Sequence, residues 1–104
     1  MSDERYATIV NAGAAVTPLN FRPWLRSELR RQSYSGHKSG GVEVYVFVTK
    51  AFITALGRKK LHKIISDTVE LHCWIRDTQV ITTEIPVTAE QATNYVETQG
   101  DEGL

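Results

Sequence analysis

The alternation of apolar and polar residues is clearest at positions 42–49, and it predicts a β-strand. One side of this strand would carry the four valines, Val42, Val44, Val46 and Val48. The other side carries Glu43 and Thr49 at its ends and Tyr45 and Phe47 between them. Since both sides are largely apolar, we predict a central strand that is covered on both faces.

Two elements are predicted before this strand. Residues 6–10 have the composition of a short strand. Residues 20–34 predict a helix with Asn20 as its N-cap and Pro23 in its first turn, where proline is tolerated. Its apolar stripe consists of Phe21, Trp24, Leu25 and Leu29. A second stripe consists of Arg22, Arg26 and Arg30, for which contact with phosphate and plain solvation are both open.

The segments on either side of the strand at 42–49 are less regular. Residues 33–41 are rich in glycine and serine, which is typical of a flexible loop. Residues 50–66 predict two short helices broken at Gly57, because the apolar residues after Gly57 have helical spacing. A strand that continues past residue 49 and turns back at Gly57 is the alternative.

A β-hairpin is predicted over residues 68–76 and 80–87, which alternate again. A three-residue loop at 77–79 would give the hairpin one continuous apolar face, and Cys73 would lie on it. The opposite face would bring together His72, Trp74, Arg76 and, from the second strand, Glu84. These four residues are candidates for a protein interface, since tryptophan and arginine are frequent interface anchors. The catalytic alternative is that His72 acts as a general base and that Glu84 orients it.

A final helix is predicted from a capping box in which Thr88 is the cap and Gln91 reaches back to it. This helix would end near Thr98, with Ala92, Tyr95 and Val96 facing inwards. From residue 42 onwards the predicted order is therefore strand, helix, turn, helix, strand, strand, helix.

This order, together with the texts "VEVYVFVT", "KAFITALGRKKLHKIISDT" and "VELHCWI", resembles a KH domain of type I over residues 42–99. The resemblance implies an α+β fold with a three-stranded sheet, helices packed on one face, and an N-terminal helical extension over residues 1–41. Residues 100–104 would be a tail. The resemblance also implies a single-stranded RNA ligand, or DNA, held by the helix–turn–helix.

By position in the family, Gly57, Arg58, Lys59, Lys60 and Lys63 would face the phosphates. The groove for the bases would be lined by Ile53, Leu56, Leu61 and Ile64, for which an ordinary core role is the alternative. The chain departs from the family at the Gly-x-x-Gly loop. Both alignments of that loop, residues 57–60 and residues 55–58, contain one glycine.

The missing glycine leaves a second function open. Side chains in the loop would hinder a close approach of phosphate to the backbone, although three basic residues supply charge at the same place. The alternative is a degenerate KH domain that acts in protein–protein interaction or homodimerisation within a larger ribonucleoprotein complex. Neither reading makes the chain an enzyme.

Composition and charge narrow the classes of protein to which the chain could belong. The formal net charge is zero, but basic residues are concentrated at 22–38 and 58–63 and acidic ones near the C-terminus. The single cysteine excludes an internal disulfide, and no apolar run approaches the roughly 20 residues that a membrane span needs. No metal-ligand spacing, cofactor motif or catalytic motif is recognised. We therefore expect no cofactor, no metal and no membrane contact, and a cytoplasmic location with the nucleus as the alternative.

Overall fold

The computed structural model describes residues 7–12, 16–33, 42–72 and 75–102. Within these ranges the chain forms three strands and four helices. Their bounds are β1 Ala7–Asn11, α1 Phe21–Ser33, β2 Val42–Thr49, α2 Lys50–Leu56, α3 Arg58–Val69, β3 Ile75–Thr83 and α4 Ala89–Glu102. Together these elements make a small, compact α+β domain.

The sheet has the order β1-β2-β3, and both of its strand pairs are parallel. In the register, Val46 of β2 lies between Val10 of β1 and Val80 of β3. The central position predicted for residues 42–49 is therefore confirmed. All of the β2 residues from Val44 to Val48 are buried, as both apolar sides of the strand require.

Helices cover both faces of the sheet. On one face the valines of β2 join a core with α1, α2 and α3. On the other face, Tyr45 and Phe47 form a second cluster with Ala92 of α4, and the ring of Phe47 meets the ring of Tyr95 edge-on. The expectation that the helices pack on one face is thus wrong for α4. Its physical reason is the aromatic side of β2, which needs a cover of its own.

The N-terminal strand and helix are confirmed, and both belong to the main core. Phe21, Leu25 and Leu29 are at most 1% exposed and pack with the valines of β2. The side chain of Gln32 donates a hydrogen bond to the carbonyl of Ile9, at 3.0 Å. Residues of the predicted N-terminal extension thus share one core with β2. The predicted loop 33–41 lies outside the described residues from position 34 onwards.

The predicted hairpin over residues 68–87 is wrong. The first predicted strand begins inside α3, which continues to Val69. Thr68 is buried there, and its hydroxyl donates to the carbonyl of Ile64 at 2.7 Å, one turn earlier. The predicted loop 77–79 lies in the middle of β3, paired with β2. Leu71, expected on the apolar face of the hairpin, is 67% exposed. Cys73, expected on the same face, lies outside the described residues.

The two helix boundaries with the strongest sequence signals are confirmed. Residues 50–66 form α2 and most of α3, and the break falls at Gly57. The capping box of α4 is complete: the amide of Gln91 donates to the hydroxyl of Thr88 at 3.1 Å, and the amide of Thr88 donates to the side-chain oxygen of Gln91 at 3.0 Å. The helix continues to Glu102, beyond the predicted end near Thr98.

Candidate nucleic-acid interface

Gly57 alone connects α2 with α3. Its amide donates to the carbonyl of Ile53 at 2.8 Å, and its carbonyl accepts from the amide of Leu61 at 2.9 Å. Its φ of +102° is disfavoured for residues with a side chain, which explains why glycine occupies this position. The connection is therefore one residue long, and neither proposed four-residue loop is open. Arg58, Lys59 and Lys60 form instead the first turn of α3.

This first turn is strongly basic. Arg58, Lys59 and Lys60 are exposed, and the turn contains no acidic residue. Gly57 has no side chain with which to cap the helix. Because a helix N-terminus carries partial positive charge, cations are unfavourable there and an external anion is favourable. At the first turn of α3, three exposed cations therefore lie at the positive end of the helix dipole.

Asp67 connects the basic residues of α3 with those of α1. Its Oδ2 atom lies 3.4 Å from Nζ of Lys63 and 3.7 Å from Nη1 of Arg22. Lys63 follows Lys59 by one helical turn, and Arg22 precedes Arg26 by one turn, so this contact marks where the two basic rows meet. Arg22 and Lys63, which belong to basic segments far apart along the chain, are therefore neighbours in the fold.

We call these exposed residues of α1 and α3 the two-helix basic surface. Its members are Arg22, Arg26, Arg30, Arg58, Lys59, Lys60 and Lys63. Arg31 of α1 is instead paired with Glu28, whose hydrogen bond and negative charge raise the pKa of Arg31 above its ordinary value. The sequence signal for this surface is a spacing of four residues, between the arginines of α1 and between Lys59 and Lys63 of α3. The packing of α1 against α3 could not be predicted from the sequence.

The apolar residues assigned to the groove wall lie in the core instead. Ile53, Leu61 and Ile64 are at most 6% exposed, and Leu56 is partly buried against the same core. Side chains this deeply buried cannot contact a ligand while the domain stays folded. Their alternative role as core residues is the one that the structure supports.

A different groove lies between α3 and the edge strand β3. It is open to solvent and has a volume of about 640 Å³. Its apolar lining consists of Ile65, Val69, Ile75 and Val80. Its polar rim consists of His62 and Ser66 from α3, Glu70 directly after α3, and Arg76, Asp77 and Thr78 from β3. The sequence interpretation missed this groove because it placed a strand where α3 ends.

The predicted interface residues do not form one face. Arg76 is 3.1 Å from Glu43 and Glu84 is 2.6 Å from Lys50. His72 lies before β3, where its Nδ1 is 3.0 Å from the carbonyl oxygen of Thr68. Trp74 lies outside the described residues. His72 and Glu84 lie beyond opposite ends of β3, so they do not form a base and its orienting partner.

Other site types find no support in the described part of the chain. No group of three or more histidine, cysteine, aspartate or glutamate side chains there is arranged to hold a metal ion. Among the described residues, no helix combines the length and the apolar character needed to cross a membrane. The exposed basic surface is therefore the candidate functional site among the described residues.

Comparison with known proteins gives no relative from which a role could be transferred: no protein-family model, curated protein or solved structure matches this chain.

Proposed function

We propose that this chain is a non-enzymatic module that binds single-stranded RNA through the two-helix basic surface. The observation that supports the proposal is the contact of Asp67 with both Lys63 and Arg22, which brings a basic residue of α3 beside a basic residue of α1. Neighbouring lysine and arginine side chains neutralise successive phosphates of a nucleic-acid backbone. The side chains of Arg58, Lys59 and Lys60 are exposed to solvent, where a phosphate can reach them.

The proposal differs from a Gly-x-x-Gly clamp in how phosphate is held. Gly57 is the only glycine at the α2–α3 connection, and the next three residues carry long side chains. We propose that these side chains reach the phosphates, so that no close approach to the backbone is needed. The groove between α3 and β3, with its apolar lining, is the proposed place for the bases.

Membership of the KH family is part of the proposal only for the α2–Gly57–α3 unit. This unit retains two short helices joined by a tight turn with basic residues after it. The parallel sheet differs from the antiparallel hairpin on which the remainder of the resemblance rested. The proposal of RNA binding therefore depends on the basic residues of the helices and on the groove beside β3, and it does not need an antiparallel sheet.

The test is fluorescence anisotropy of short labelled single-stranded RNAs titrated with the protein at two salt concentrations. We expect saturable binding whose affinity falls with salt, by about 0.7 in log K per log salt for each phosphate contact. A labelled single-stranded DNA of the same sequence tests whether the ribose matters. Absence of binding up to about 100 μM, the weak end of ordinary non-specific affinity, would reject the proposal.

Protein–protein interaction is the second candidate, and a different surface favours it. Within the described part of the chain, strand β3 is an edge of the sheet, and one row of its backbone groups has no strand partner there. Leu71 and Ile85, just outside its two ends, are 67% and 70% exposed. Sedimentation equilibrium tests whether copies of the chain associate. We expect Leu71→Ser with Ile85→Ser to abolish any association that uses this edge.

A further inference from the structure

Asp67 is placed unfavourably for the stability of its own helix. It lies near the C-terminus of α3, where the helix dipole disfavours negative charge. Its partner Lys63 precedes it by four residues, which is the weaker of the two orders for an ion pair within a helix. Helix stability therefore does not explain an aspartate at this position.

The contacts of Asp67 resemble those of a phosphate. A single carboxylate oxygen, Oδ2, lies within 4 Å of a lysine ammonium and an arginine guanidinium from different helices. Lysine and arginine are also the residues that contact a phosphate oxygen of a nucleic-acid backbone. The side chains of Arg22 and Lys63 are 47% and 71% exposed, so an external anion can reach the same two cations.

We propose that Asp67 occupies a phosphate position of the two-helix basic surface in the free protein, and that RNA must displace it to contact Arg22 and Lys63. Asp67 then limits affinity, because its single negative charge offsets part of the positive charge of Arg22 and Lys63 until a phosphate replaces it. This inference rests on the proposed function, since it describes the same site.

The test compares Asp67→Asn with Glu97→Gln by anisotropy titration of a labelled oligouridine at low salt. Both variants remove one negative charge, but Glu97 is exposed on α4, on the other side of the sheet. We expect Asp67→Asn to bind about two- to fivefold more tightly, because a competing surface ion pair is lost. We expect Glu97→Gln to change affinity by less than about twofold.

Removal of the charges of Arg22 and Lys63 tests whether Asp67 acts through these two cations or through the overall electrostatic potential of the protein. We expect Arg22→Gln with Lys63→Gln to weaken binding by a larger factor in the Asp67→Asn background than in the unaltered chain. Circular dichroism of each variant checks that it is folded.

The possible outcomes distinguish failure of this inference from failure of the proposed RNA binding. Equal affinities of Asp67→Asn and Glu97→Gln, with binding by the unaltered chain, overturn this inference and leave RNA binding in place. No binding by the unaltered chain or by Asp67→Asn overturns both. Binding by Asp67→Asn alone supports the displacement of Asp67 directly.

Discussion

The ring of Phe21 packs edge-on against the ring of Phe52, with 5.2 Å between the ring centroids. The contact joins α1 to α2, and Phe21 is fully buried. We expect Phe21→Ala to lower the free energy of unfolding by about 3–5 kcal/mol, since a large core side chain is lost and a cavity remains. Urea denaturation, monitored by circular dichroism, measures this change in the free energy of unfolding.

The matched control for this prediction is Leu19→Ala. Leu19 is 96% exposed and two residues away, so its removal should change stability by less than about 0.5 kcal/mol. Equal effects of the two substitutions would show that the N-terminal segment is not part of the core.

Gly57→Ala tests the backbone at the turn between the two helices. A Cβ added there meets nothing closer than Cβ of Lys60 at 3.9 Å, so no clash is expected. The φ of +102° remains unfavourable for alanine, and we expect a cost of about 1–3 kcal/mol. Thermal denaturation beside Thr54→Ala, an exposed change in α2, measures it. A Gly57→Ala protein as stable as the control would contradict the positive φ.

Lys59→Gln with Lys60→Gln tests the RNA contacts of α3. Two phosphate contacts should be lost, so the salt dependence of binding should decrease by about 0.7 per contact. The matched control is Thr93→Glu with Asn94→Glu, which changes net charge equally at exposed positions of α4. Equal weakening in the two double variants would mean that net charge, and not this surface, governs binding.

Thr88→Ala tests the start of α4. It removes the hydroxyl that accepts the amide of Gln91, and we expect a loss of about 1 kcal/mol. Combined with Gln91→Ala, the total loss should be smaller than the sum of the two single losses, because both residues belong to one reciprocal pair. Strict additivity in chemical denaturation would argue against the capping box.

Elements with a single dominant periodicity were predictable from the sequence. Residues 42–49 alternate without interruption, and both of their sides proved to be buried. The apolar stripe of α1 and the capping box of α4 were recognised for the same reason, since each is a local signal whose geometry depends on neighbouring residues alone.

The region from Thr68 to Ile75 was not predictable, because two periodicities overlap there. Val69, Leu71 and Ile75 alternate like a strand, whereas Leu61, Ile64 and Thr68 continue a helical stripe. Packing of that stripe against the core decides in favour of the helix as far as Val69. Parallel pairing of distant strands also leaves no turn signal in the sequence, and neither does the contact of Arg22 with Asp67.

The order of the strands in the sheet is the same as their order along the chain, with β2 in the middle. During synthesis, β2 therefore leaves the ribosome with β1 available on one side, while its other side waits for α3 and β3. That waiting edge is eight residues long and contains four valines and one charged residue, Glu43. Such an edge is a template for pairing with another nascent chain. Until residues 75–83 have left the ribosome, this edge of β2 is therefore open to pairing with another chain.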